Sequence, residues 1–138
     1  MLTTSLISPV LALVGWTFVM WVWLYATRIP AMRTARVDLE AMRAGGKLVL
    51  PPEVSRVADN YNHLHEQPTI FYALALAAQL ANAVDSWSVA LAWTYVGIRV
   101  IHSFVQATRN IILLRFSVFA TASLVLLLLL VRTVLLLA

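Results

Sequence analysis

The sequence predicts an all-α integral membrane protein, a bundle of four transmembrane helices. Three observations predict it. Hydrophobic residues make up 62% of the chain and charged ones 12%, where a soluble domain carries roughly 45–50% and about 25%. The mean hydropathy is +0.85, so there is too little polar side chain to cover a water-exposed surface. The length of 138 residues, divided by the ~20 apolar residues a spanning helix needs and with loops allowed for, leaves room for four crossings in one domain, 1–138. The same figures exclude a soluble globular domain and a disordered tail, and the absence of cysteine excludes a disulfide scaffold.

The first span is predicted over about 6–28. The run from Met1 to Thr27 carries no charge and is closed by Arg28 and Pro30. It lacks the basic start and the short apolar core of a cleavable signal peptide, so it reads as a retained helix. A hydrophilic loop follows over about 30–52, with Arg33, Arg36, Asp38, Glu40, Arg43 and Lys47. The second span, about 53–81, opens on Pro51-Pro52-Glu53, where proline suits a first helical turn and an acid suits its positive end. Its first half is polar and its second apolar, and Pro68 between them predicts a kink. Asn82–Ser86 reads as a short turn, and the third span covers about 87–108. Arg109-Asn110 makes a second tight turn before the fourth span, about 113–137, with its leucine-rich stretch Leu124–Leu130.

Charge placement orients the chain. Arg28, Arg33, Arg36, Arg43, Lys47 and Arg56 flank the first loop, Arg109 and Arg115 flank the 3–4 turn, and only Arg132 lies on the opposite side. The positive-inside rule puts both basic connections in the cytoplasm and both termini outside. The net charge of +4 is therefore a topology signal with some attraction for anionic lipid, not a nucleic-acid footprint.

Ionisable groups at membrane depth are expensive and mark function. On the second span Asp59, Asn62, His63 and Glu66 fall at i, i+3, i+4 and i+7, which predicts one shared face. On the third, Arg99, His102 and Gln106 repeat that spacing; Arg115 opens the fourth. The topology brings all three sets, with Arg28, towards the cytoplasmic ends of the helices. Arginines beside a carboxylate, amides and apolar helix surfaces suit a ligand with an anionic head and a lipophilic partner, since guanidinium forks carboxylates and favours a neighbouring thiolate. Structural roles stand beside these. Arg109 reads as topogenic. Arg28 and Arg115 could snorkel to headgroups, Arg99 and Glu66 could form an ion pair between spans, and His102 could bond a neighbouring helix. His63 and His65 are two apart and face away from each other, and no HExxH is present, so no metal site is predicted. Trp87 is the tryptophan placed for an outer aromatic belt.

The run Asp59-Asn60-Tyr61-Asn62-His63-Leu64-His65-Glu66-Gln67-Pro68 with Phe71-Tyr72 resembles the second-helix signature of the MAPEG family, the membrane-associated proteins in eicosanoid and glutathione metabolism. Trp93-Thr94-Tyr95, Arg99-Val100-Ile101-His102-Ser103 and the Asn110…Arg115-Phe116 entry to the fourth span extend the resemblance over nearly the whole chain, towards a bacterial branch. It implies a homotrimer in a bacterial inner membrane with periplasmic termini. It also implies glutathione, bound between subunits near the cytoplasmic face, and a hydrophobic small-molecule substrate arriving from the lipid. Arg115 matches the family's thiolate-stabilising arginine, the catalytic position. Glu66, Arg99 and His102 match glutathione-binding positions, and Arg28 matches the first-helix arginine. Three positions depart: Asp59 stands where glutathione-binding members carry arginine, His63 where they carry asparagine (Asn62 beside it is the substitute), and Gln106 where they carry a tyrosine that contacts the thiol.

The resemblance leaves two functions open. One is a glutathione-dependent transferase or peroxidase acting on lipophilic electrophiles. The other is a non-catalytic, lipid-binding or accessory membrane protein of the same fold, to which Asp59 and Gln106 point. A small multidrug exporter of similar length would place an acid inside the first span, and none lies between Met1 and Thr27.

Overall fold

A computed structural model describes residues 5–35, 39–46 and 49–138, with Leu39 and Ala41 described in backbone only. Arg36, Asp38 and Lys47, expected in the first loop, lie outside the described residues. The described chain contains helices α1 (Ile7–Thr34), α2 (Leu39–Arg43), α3 (Pro52–His63), α4 (Gln67–Leu80), α5 (Ser86–Ala107) and α6 (Ile112–Leu137). Helices α1, α5 and α6 are each long and apolar enough to cross a membrane. Helix α4 is 14 residues, about 21 Å at 1.5 Å per residue, short of the ~30 Å hydrocarbon layer. The polar α3 supplies the rest of that fourth path.

Two boundaries differ from the sequence reading. Helix α1 continues beyond Arg28 and through Pro30 to Thr34. Proline removes one helical bond, but the turn after it is fully bonded: Thr34 Oγ1 donates to the Pro30 carbonyl (3.0 Å) and the Ala35 N–H to the Ala31 carbonyl (2.9 Å). The kink expected at Pro68 is a complete break. Helix α3 stops at His63, Leu64–Glu66 form a turn, and α4 restarts at Gln67 with proline in its first turn. Proline cannot donate to the carbonyl four residues back and its ring collides with it. Glu66, two residues before it, leaves the helical region at φ −91°, ψ −97°.

Both short connections contain an asparagine. Asn82 (φ 56°) and Asn110 (φ 49°) take left-handed backbone, which asparagine tolerates better than most residues. After α4 the Ala83 N–H returns to the Ala78 carbonyl (2.9 Å) and the Asn82 N–H to that of Gln79 (3.2 Å), the pair of bonds that closes a Schellman motif. Asp85 caps α5 by accepting from the Ser88 N–H (2.9 Å).

Helices α5 and α6 pack antiparallel along their length, α3 lies against α1 and α5, and α4 against α1 and α6. The Leu6 N–H donates to Gln79 Oε1 (2.8 Å), tying the start of α1 to the end of α4. Arg56 Nη1 donates to the Thr108 carbonyl (2.9 Å) at the other end of the bundle. The interior is filled by Leu13, Met20, Phe71, Ala75, Ala92, Tyr95 and Leu129. The apolar side chains of α1 and α6 outside it, Phe18, Val22, Leu124 and Leu135 among them, are exposed, as a lipid-facing surface requires.

Candidate binding site at the break between α3 and α4

The break leaves the carbonyl of His63 without a regular helical partner; it receives only a long 3.4 Å contact from the Glu66 N–H. Arg99 on α5 fills that position. Its Nη2 donates to the His63 carbonyl at 3.0 Å and lies 3.2 Å from His63 Nδ1. Because guanidinium only donates, Nδ1 accepts and the neutral ring carries its proton on Nε2. That nitrogen faces Glu66 Oε2 at 3.6 Å. The His63 ring stacks on His102 (centroids 5.0 Å apart, 21° between planes) and meets the edge of Phe119 on α6 at 5.3 Å.

Arg115, in the first turn of α6, is half-buried and donates from Nη1 to Asn110 Oδ1 at 2.8 Å. It lies within electrostatic reach of both His63 and His102, and Glu66 lies within reach of Arg99. His63, Glu66, Arg99, His102 and Arg115 therefore form one charged and aromatic cluster drawn from three segments of the chain.

The cluster is rich in unmet hydrogen-bonding capacity. Arg99 is fully buried, yet among the described residues its Nε and Nη1 have no partner; neither do His102 Nδ1, Gln106 Oε1 and both polar atoms of Asn60. A buried polar group without a partner costs about 1–3 kcal/mol, and more when it is charged. The ion pair expected between Arg99 and Glu66 is not among the salt bridges of the described residues, which join His63 to Glu66 and Arg132 to Asp85. The break supplied Arg99 with a main-chain acceptor instead, and the Glu66 side chain is 66% exposed.

Not every residue singled out in the sequence reaches this cluster. Gln106 is buried on α5 one turn beyond His102. Asp59 and Asn62 are exposed, so of the single face expected on the second span His63 turns inward and these two do not. Arg28 stands apart. Trp16 Nε1 donates to Ser103 Oγ at 3.1 Å, which fixes the level of α1 against α5. Arg28 lies twelve residues further along α1, about 18 Å at 1.5 Å per residue, while Arg99 lies one turn the other way. Within one subunit Arg28 does not meet Arg99.

Sequence reasoning missed two features. Asn60 is fully buried; it stands three residues after Val57 and four before Leu64, in the helical register of the buried stripe, and that spacing was the available signal. Gln67 bridges three helices, donating to Ser123 Oγ (2.7 Å) and accepting from the Tyr95 hydroxyl (3.3 Å). At the far end, Arg132 on α6 grips Asp85 through Nη2 and, at 3.1 Å, through Nε. These bonds, with the Ser88 N–H after them, hold the Asp85 carboxyl well below the usual carboxylate range.

Three membrane-length helices and a half-polar fourth path, with charge gathered at one break, define an integral membrane protein of the all-α class. The family model of the MAPEG family matches residues 6–135, and the chain belongs to that family. No curated protein and no solved structure gives a significant match.

Proposed function

We propose that this protein binds glutathione at the α3–α4 break and uses it in a transferase or peroxidase reaction on lipophilic electrophiles. One observation carries the reading: Arg99 is fully buried, has no carboxylate partner among the described residues, and keeps two N–H-bearing nitrogens unpartnered within reach of the exposed carboxylate of Glu66. A buried cation without a counter-charge calls for an anion. Glutathione has two carboxylates, one ammonium and a thiol, and the residues present fit it. Arg99 would receive a carboxylate, Glu66 the ammonium, and Arg115 the sulfur as thiolate. His63 and His102 would line the site with hydrogen-bonding groups.

Bound there, glutathione supplies a nucleophilic sulfur. Arg115, already fixed by Asn110, acts by stabilising negative charge on that sulfur before an electrophile arrives from the lipid. Arg28 is too far along α1 to assist in the same subunit, so its contribution would come across an interface of the homotrimer. We place the two basic connections in the cytoplasm of a bacterial cell, with the site near the inner face of its inner membrane.

Calorimetric titration of the detergent-purified protein with glutathione, followed by stopped-flow recording of thiolate absorbance, tests this. Saturable heat is expected, with a thiolate signal that disappears in Arg115→Ala. No binding at millimolar glutathione overturns it. A second reading, a non-catalytic lipid-binding or accessory protein, is favoured by the acid at Asp59 and the amide at Gln106. It predicts co-purifying lipid and no turnover, and a conjugating activity lost in Arg115→Ala with the oligomer intact would overturn it.

A further inference from the structure

On the side of α3 away from Arg115, helices α1, α3 and α4 enclose a second cavity of about 260 Å³. Its walls are rings: Phe18 and Trp21 from α1, Tyr61 and His65 from α3 and the turn after it, and Tyr72 from α4. Phe18 is 63% exposed and Trp21 42%, so the cavity opens sideways between these side chains, towards the space lipid fills around α1. Among the described residues no Asp, Glu, Lys or Arg lines it, which selects a neutral occupant, because a charge placed there would be desolvated without a partner.

The polar atoms at its edge select further. His65 Nδ1 lies 2.9 Å from the Tyr61 carbonyl. A carbonyl only accepts, so Nδ1 carries the proton and Nε2 of the neutral ring is an acceptor. Thr17, which also lines the cavity, spends its hydroxyl proton on the Leu13 carbonyl at 2.9 Å, leaving lone pairs. Flat aromatic walls with acceptors at the rim match a planar ring that carries its own hydroxyl donor.

We propose that this cavity is a binding site for neutral, lipid-soluble aromatic alcohols, phenols and hydroquinones, which enter from the bilayer and donate their hydroxyl to His65 Nε2 or to the oxygens of Thr17 and Tyr72. The site is separate from the one assigned to glutathione and stands without it.

Equilibrium dialysis of the full-length protein in detergent, with 1-naphthol and with 1-methoxynaphthalene, tests the proposal. Both have the same ring system, but only naphthol can donate. Saturable naphthol binding is expected, about tenfold tighter than the methyl ether, the worth of one net hydrogen bond. Thr17→Phe fills the cavity and abolishes saturable binding; if that variant does not fold, Val14→Phe fills it from the next turn. His65→Phe, Tyr72→Phe and Thr17→Val combined keep the rings in the wall, take away all three acceptors and remove the preference for naphthol. Equal affinity for the two probes overturns the proposal. So does naphthol binding untouched by the cavity-filling variants, or a preference that survives the combined His65→Phe, Tyr72→Phe, Thr17→Val variant. Glutathione titrations of the same variants should match wild type, which separates failure of this site from failure of the other.

Discussion

Arg99 and His63 are joined twice through a single arginine nitrogen, at 3.0 Å to the carbonyl and 3.2 Å to the ring. The carbonyl is available only because Pro68 ends α3 early. A proline in one helix thus fixes the position of a cation in another.

Replacing Arg99 by methionine separates binding from stability. The guanidinium is desolvated without a carboxylate partner, and exchanging such a buried charge for an apolar side chain of similar volume is commonly neutral or stabilising. The melting temperature of Arg99→Met in detergent should equal or exceed that of wild type. Glutathione affinity should fall about 10- to 100-fold, the worth of a charged hydrogen bond of roughly 1.5–3 kcal/mol. A fall in melting temperature with unchanged affinity would make Arg99 a structural residue.

Glu66→Gln should leave thermal stability within about 0.5 kcal/mol of wild type, as substitutions at exposed positions usually do. The glutamate is mostly exposed and its nearest cation is the His63 ring at 3.6 Å. Breaking a buried ion pair would instead cost about 3–5 kcal/mol. Paired melting curves decide between the two values.

Stability at the other end should depend on acid. Asp85 has its carboxyl lowered from the ordinary value of 3.8 by Arg132 and the Ser88 N–H. A depressed folded-state value contributes stability that is complete above about pH 4 and is lost as pH falls towards the folded value. Melting temperatures taken from pH 5 downwards should drop more steeply for wild type than for Asp85→Asn. At neutral pH, Asp85→Ala should cost about 1 kcal/mol through its lost cap, which asparagine retains.

Much of the fold was legible in the sequence because membrane spans are written in hydropathy alone. The uncharged run to Thr27, the proline at position 68 and the asparagines in both turns each correspond to a feature of the structure. The cluster was legible in part. The spacing of Arg99, His102 and Gln106 on α5 carries through because that helix is unbroken, whereas one face for Asp59, Asn62, His63 and Glu66 requires a helix continuous through Glu66, and α3 stops at His63. Within α3 the buried stripe runs through Val57 and Asn60 and leaves Asp59 and Asn62 exposed, while the break at Leu64–Glu66 takes Glu66 off the helix. Arg28 would join the others only if the inner ends of the spans were level. Helix α1 runs 28 residues and overshoots its neighbours, and its length depends on a proline that the following turn tolerates.

The early end of α3 has one more effect. Its final carbonyls carry about half a negative unit charge, the C-terminal end of a helix dipole, and that partial charge faces Arg99. Unlike a carboxylate, it takes up no proton. The part of the local field owed to that helix end therefore stays constant from acid to alkaline solution, and an anion drawn to Arg99 meets the same opposing dipole in either condition.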